Sequence, residues 1–288
     1  MENPKSSLIP CQNAIHKHEL IVHYKINFKN VCLFAVSIPL GALVVCVLSA
    51  LIFQFDDVHE THCRVFNIVP SISAVTGVSP QRYIWRISVA LHIGPRITLA
   101  AVYNSYQLGI VDPLSKNKTR AQLWLNVAYF LNLIEAAALC GVAYISNREN
   151  YPIHEKLFII FMVSSLTHML ACIQGTKLAA GTRDDLDFET IKASLKFKKD
   201  MLVLSLLCTA GLVIFFLQHR FFCIRLAFSM FALFEYIIAA ANMAFHISTI
   251  KDFPTEDFVV GKFIVPNPVS SNKNCAGDIE VATREKHD

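Results

Sequence analysis

Arg86, His92, Arg96, Glu135, His168, Glu235 and His246 all sit inside stretches otherwise dominated by Ile, Leu, Val, Phe and Ala. Guanidinium, imidazole and carboxylate groups together can bind an anion, move a proton and orient the base that moves it. In hydrocarbon each such group is costly, so each is a functional candidate by default. On helical spacing Ser88, His92, Arg96 and Tyr103 fall on one stripe, and Pro95 within it should kink the helix. Glu235, Asn242 and His246 form a second stripe. Asn132 and Glu135 lie one turn apart, and Ser164 or Ser165 neighbours His168. The bland counterpart is structural, with Arg96 neutralising an acid and locking helices together. No hydrolase elbow, H-E-x-x-H, H-x(4)-D or phosphate loop is present. Ile153-His154-Glu155 looks like a fragment of a metal motif, but it has no second ligand at helical spacing, and no metal is expected.

The elements that must position these residues are membrane helices. Hydrophobic residues make up 54% of the 288, charged residues only 17%, and the mean hydropathy is +0.44, which argues against a soluble protein. A spanning helix needs about 20 apolar residues. Six segments qualify or come close: Val31 to Phe53, Ile84 to Tyr106, Leu123 to Ile145, Leu157 to Ala179, Met201 to Leu217 and Phe222 to Ile247. The first is long enough to be a retained signal-anchor rather than a cleaved leader. Counting in steps of roughly 1.5 Å puts Arg96, Glu135, His168 and Glu235 in the middle third of the membrane, as one polar cluster. The expected fold is an all-α, polytopic membrane helix bundle of about six transmembrane helices.

Charge gives the bundle a direction. With Arg86, Arg96 and Arg225 assigned to helices, Lys and Arg divide 18 against 5 between the two sets of tails and loops, and the richer set includes both termini. Both ends are therefore expected in the cytosol. Residues 1–30 read as a cytosolic N-terminal tail, 31–250 as the six-helix membrane domain, and 251–288 as a cytosolic tail without fixed structure. Residues 54–83 become a luminal loop of about 30 residues, long enough, with Pro70, Gly77 and Pro80 as punctuation, to pack as an ordered cap. Most cysteines lie in apolar runs and act as small hydrophobes. Cys63 and Cys223 instead fall on the luminal side, where disulfides persist. A bridge would tie the luminal loop to the start of the last helix; the alternative is two separate thiols. The sequon Asn117-Lys118-Thr119 falls on the cytosolic side and should carry no sugar.

Several blocks resemble one family. They are Thr61-His62-Cys63, Val69-Pro70-Ser71-Ile72-Ser73, Pro80-Gln81-Arg82-Tyr83-Ile84-Trp85-Arg86 followed by His92 and Pro95-Arg96, and then Ile153-His154-Glu155. Ser164-Ser165-Leu166-Thr167-His168-Met169-Leu170, Phe234-Glu235-Tyr236 and Asn242-Met243-Ala244-Phe245-His246 complete the set. In consistent order from 61 to 246, they resemble the post-GPI-attachment-to-proteins factor 2 family, within the wider Frag/DRAM/Sfk-like membrane superfamily.

The resemblance implies a Golgi protein, or one of the endoplasmic reticulum, acting in fatty-acid remodelling of GPI anchors. In that pathway one acyl chain is removed and a saturated chain is then added to lyso-GPI. If the chain is itself a lyso-GPI O-acyltransferase, His92 or His168 would take the proton of the glycerol hydroxyl. Glu135 or Glu235 would orient the imidazole, which makes these four the catalytic candidates. Arg86, Arg96, His62, His154, Asn242 and His246 are the candidates for binding substrate. No cofactor is expected beyond the acyl donor. The other class is a non-enzymatic adaptor that binds lyso-GPI for a separate acyltransferase. Either way the partners are lyso-GPI or GPI-anchored proteins and membrane lipids, not nucleic acid. The last residues, Arg284-Glu285-Lys286-His287-Asp288, resemble a cytosolic retrieval signal.

Overall fold

A computed structural model describes residues 19–111, 115–180, 186–253 and 256–264. Most of both tails, the terminal Arg284–Asp288 run included, lies outside the described residues.

Six long helices make up the unit Asn27–Glu256. They are α1 (Phe28–Phe53), α4 (Gln81–Ile110), α5 (Lys118–Tyr144), α6 (Tyr151–Ala180), α7 (Leu186–Phe222) and α8 (Ala227–Ile247). Two short helices, α2 (Phe55–His59) and α3 (Ile72–Gly77), lie between α1 and α4, and a 3₁₀ turn (Ser248–Lys251) follows α8. α1, α5, α6, α7 and α8 are each long and apolar enough to cross a membrane. At 30 residues α4 has ample length, but Arg82, Arg86 and Arg96 lower its hydropathy. It runs unbroken through Pro95. Large apolar side chains such as Leu48, Ile52 and Leu207 stay exposed on the outer faces, as lipid-facing positions require.

Between helices, close approach depends on small residues, the usual device where lipid removes the hydrophobic drive for association. α5 pairs with α6 and α7 with α8. A Cβ on Gly141 would come within 2.9 Å of Leu157, and one on Gly175 within 2.7 Å of Leu125, so the α5–α6 pair is drawn tight at both ends. Gly211 meets Phe234 of α8 at the same 2.7 Å.

Several boundaries differ from those read off hydropathy. α6 begins at Tyr151 rather than Leu157, and α7 at Leu186 rather than Met201. The charged stretch from Lys177 to Lys199, expected as a loop, is therefore largely helical. Hydropathy detects only the apolar part of a helix, while the backbone continues until its caps. Arg225, expected inside the last helix, precedes α8, where its guanidinium lies 5.9 Å from the Phe66 ring centre. A left-handed Leu226 (φ 63°) separates the two.

The 54–80 segment is laced to α8 by side chains. Ser229 Oγ accepts from the amides of Ile68 (2.8 Å) and Val69 (3.3 Å), and the Tyr236 hydroxyl donates to the Pro70 carbonyl at 3.2 Å. Cys63 and Cys223 are joined by a disulfide with Cα atoms 5.5 Å apart.

A second unit comprises the chain ends. Within it β1 (Glu19–Asn27) and β2 (Asp257–Ile264) form a two-stranded sheet, with Lys25 and Asp257 paired at 2.9 Å. These residues belong to the segments expected as cytosolic tails, the second of them without fixed structure; their β-branched and aromatic content (Ile21, Val22, Tyr24, Val259, Val260) suits strand pairing.

Candidate functional site

Mid-length along the bundle, four helices bring a polar network together. Arg96 of α4 places Nη2 2.8 Å from Glu135 Oε1 of α5 and 2.9 Å from His246 Nε2 of α8. Arginine is always a donor, so the His246 nitrogen that accepts from it carries no proton and the ring is neutral. The 3.3 Å approach of that nitrogen to Glu135 is then a proximity rather than an ion pair. Asn242 donates from Nδ2 to Glu135 Oε1 (2.6 Å) and to Ser165 of α6 (2.7 Å). His168 stacks on His246 with ring centres 5.4 Å apart, and its Nδ1 lies 2.8 Å from the Ala128 carbonyl. Glu135 is completely buried, and a carboxylate there survives only with such a counter-ion and donors.

Glu135, His168 and His246 offer ligand-type atoms within 4.8 Å of one another, a spacing that can hold a metal ion. The Arg96 guanidinium already supplies the positive charge, and a cation beside it would be repelled. His62, Cys63 and His219 form a second such group, but the Cys63 sulfur is in the disulfide and offers no thiolate.

Alongside the network runs a mostly apolar cavity of about 170 Å³. Leu99, Leu139, Phe158, Phe161 and Ile238 supply its apolar wall, and His92, Arg96, His168 and His246 give it a polar flank. The His92 Nδ1 lies 2.7 Å from the Ala35 carbonyl of α1. A carbonyl only accepts, so in His92 and His168 alike Nδ1 carries the proton and Nε2 is the basic nitrogen.

The two ends of the cavity differ. At one end are Ile72, Ser73, Thr76 and Glu235. Glu235 accepts from the Ile72 amide at 2.8 Å and so anchors the first turn of α3. His154 of α6, buried, holds the Ile145 carbonyl with Nδ1 (2.7 Å) and meets the Ser73 hydroxyl with Nε2 (2.9 Å). At the other end are Tyr103, Lys198 and Thr249. The Lys198 ammonium is fully buried, paired with Asp252 and 2.7 Å from the Tyr103 hydroxyl, which itself donates to Asp252 at 2.7 Å.

The expected single cluster of Arg96, Glu135, His168 and Glu235 is thus two sites. Arg96, Glu135, His168, Asn242 and His246 come together, while Glu235 stands apart with α3. On α8 it lies two turns before Asn242, roughly 10 Å along the axis, and the 70–73 segment reaches in to meet it. Arg86 donates to the Tyr144 carbonyl at 2.7 Å and pairs with Glu149, so it caps the end of α5. His62 is exposed beside the disulfide, its ring 6.0 Å from that of His219.

Helical spacing marks Tyr103 and Ser165 but not Ser73, Lys198 or Asp252. Ser73 lies in a segment expected as a loop, where a serine is unremarkable, and Lys198 stands in a run of lysines that counts as loop charge. Only the fold reveals that this one lysine is buried.

Residues 27–256 match the family model described as the Frag1/DRAM/Sfk1/Cwh43P N-terminal domain. The chain is 49% identical to a Drosophila melanogaster protein named Post-GPI attachment to proteins factor 2-like, over 85% of this chain and 75% of that one. It is 31% identical to a Xenopus tropicalis protein named Acyltransferase PGAP2, over 82% and 92%. A Caenorhabditis elegans protein named Post-GPI attachment to proteins factor 2 is 33% identical, over 82% and 89%. No solved structure matches the chain.

Proposed function

The chain belongs to the Frag1/DRAM/Sfk1/Cwh43P family, and from that membership we propose that it acts in the lipid remodelling of GPI anchors, at the step where lyso-GPI regains an acyl chain. The observation that carries the reading is the cavity. From Trp85 to Tyr103 it follows α4 for 18 residues, roughly 27 Å, close to the ~30 Å of hydrocarbon that a bilayer offers. A protein that handles one long acyl chain while the headgroup stays at the interface needs such a slot, with an apolar wall along its length and polar groups on its flank and at its mouth. Arg96, Glu135, Ser165, Asn242 and His246 hold four helices around it.

The compartment proposed is the Golgi, or the endoplasmic reticulum, with both termini cytosolic. The division of Lys and Arg, 18 against 6 once Arg225 joins the connection before α8, supports that orientation. So does the Cys63–Cys223 bridge, which belongs in an oxidising lumen. The acyl chain is transferred to a glycerol hydroxyl of lyso-GPI, with the 54–80 segment facing the glycan. One observation favours a second reading, an adaptor that presents lyso-GPI to a separate acyltransferase: Nη2 of Arg96 and Nδ2 of Asn242 are already engaged by neighbours within the network.

The test is the lipid of the anchors. In cells lacking this chain, mass spectrometry of GPI released from surface proteins should show loss of the saturated second chain, restored by the wild-type chain. Unchanged anchors would sink the proposal.

A further inference from the structure

We propose that Ser73 and His154 are a nucleophile–base pair, and that Ser73 carries the transferred acyl group as a covalent ester. The inference rests on the remodelling function above and names where its chemistry occurs.

The Ser73 Oγ is 2.9 Å from His154 Nε2, and Nδ1 of the same ring is 2.7 Å from the Ile145 carbonyl. Because the carbonyl only accepts, Nδ1 holds the proton, Nε2 is the acceptor and the serine hydroxyl donates to it. A serine bonded to an imidazole whose far side is fixed by a third group is the arrangement that activates serine for acyl transfer. Other hydroxyls in the bundle behave differently. Ser164, Thr98 and Thr209 donate to carbonyls one turn back on their own helices. Among the described residues, the Ser73 hydroxyl is the one bonded to a histidine ring.

Ser73 lines the cavity and keeps partial exposure. The turn that carries it is held by Glu235 on the Ile72 amide, by Ser71 on the Ala74 amide (3.1 Å) and by Tyr236 on the Pro70 carbonyl. His154 is three residues into α6, roughly 5 Å from its start, whereas His168 is 17 residues in, roughly 26 Å. Lipid ester groups lie at the interface rather than in the hydrocarbon core. The pair stands at the depth where an ester must be made, and the slot beyond it takes the chain.

The chemistry balances without a redox partner. The donor is an acyl group activated as a thioester or as a glycerophospholipid ester. Ser73 Oγ attacks its carbonyl carbon while the hydroxyl proton passes to His154. The bond to the donor's sulfur or oxygen then breaks, and that atom leaves with the proton. Next the glycerol hydroxyl of lyso-GPI gives its proton to His154 and attacks the Ser73 ester. Ser73 leaves as the alcohol, reprotonated by His154, and one ester is formed for each one broken.

The experiment uses the full chain in phosphatidylcholine liposomes. One arm supplies a labelled long-chain acyl-coenzyme A; the other labels the phosphatidylcholine chains themselves. Before lyso-GPI is added, peptide mass spectrometry should find label on Ser73 in at least one arm, which identifies the donor, and lyso-GPI should discharge it. Ser73→Ala should lose the label and at least about 100-fold of transfer, and His154→Gln should slow both steps. Ser73→Cys should keep the label as a hydroxylamine-sensitive thioester, which separates lost chemistry from lost fold. No label in either arm, or a folded Ser73→Ala that transfers within a few-fold of wild type, overturns the inference. Wild-type rescue of anchor composition in deficient cells, alongside such a result, would leave the remodelling function standing; failure of that rescue would end both.

Discussion

Arg96 Nη2 and Glu135 Oε1 lie 2.8 Å apart although they are 39 positions apart in sequence, and both side chains are buried. Removing one partner strands the other charge in a low-dielectric interior, which costs more than the pair itself contributes. Arg96→Leu or Glu135→Leu alone should destabilise the detergent-solubilised protein by about 3–5 kcal/mol. The double replacement should recover much of that loss. Thermal melts of the four proteins check this, and simple additivity would mean that the two charges are not coupled.

The Cys63–Cys223 bridge closes a loop spanning 160 positions. Cys63→Ser or Cys223→Ser should abolish the mobility shift between reducing and non-reducing gels and lower stability by about 2–5 kcal/mol. Hydrogen exchange should rise over 66–72, the stretch that hangs on Ser229 and Glu235. Identical mobility of wild type with and without reductant would contradict the bridge.

Close packing of α5 on α6 makes Gly175 sensitive. Its missing Cβ would lie 2.7 Å from the Leu125 side chain and 3.1 Å from its backbone, whereas around Gly41 nothing lies within 4 Å. Gly175→Ala should cost about 1–3 kcal/mol, and Gly41→Ala should be neutral or mildly stabilising. Melting temperatures of the two variants give the comparison.

Glu149 stands between α5 and α6, outside the helices. Its bonds from the Ser146 amide (3.1 Å) and hydroxyl (2.9 Å), aided by Arg86 and Arg82, hold its carboxyl below the ordinary value of 4.5. A carboxyl depressed in the folded state contributes stability above its unfolded value and loses it as pH falls through the folded one. The advantage of wild type over Glu149→Gln should therefore be full near neutrality and fade below about pH 4. Because the group is well exposed, it should stay within about 1 kcal/mol. Melts at the two ends of that range read the difference.

Much of the candidate site is legible before any folding. The cost of charge in hydrocarbon singles out Arg96, Glu135, His168 and Glu235, and helical spacing puts Asn242 and His246 on one face. What spacing cannot supply is partnership between helices. It groups Glu235 with Arg96 by depth, whereas α3 reaches into the bundle and claims Glu235 for the Ile72 amide. Lys198 and Asp252 read as surface charges because nothing local marks either as buried.

Composition and hydropathy by themselves determine that this is a helical membrane protein, since an uninterrupted apolar run of bilayer length has few other stable states in water or lipid. Which polar groups meet is decided by tertiary structure. A helix sequence sets the face on which a side chain lies, but rotation and register against the neighbour set its partner. Ser73 and His154 are 81 positions apart on a short loop helix and a long one. Only the packing of the 54–80 segment into the mouth of the bundle turns an ordinary serine and an ordinary histidine into a pair.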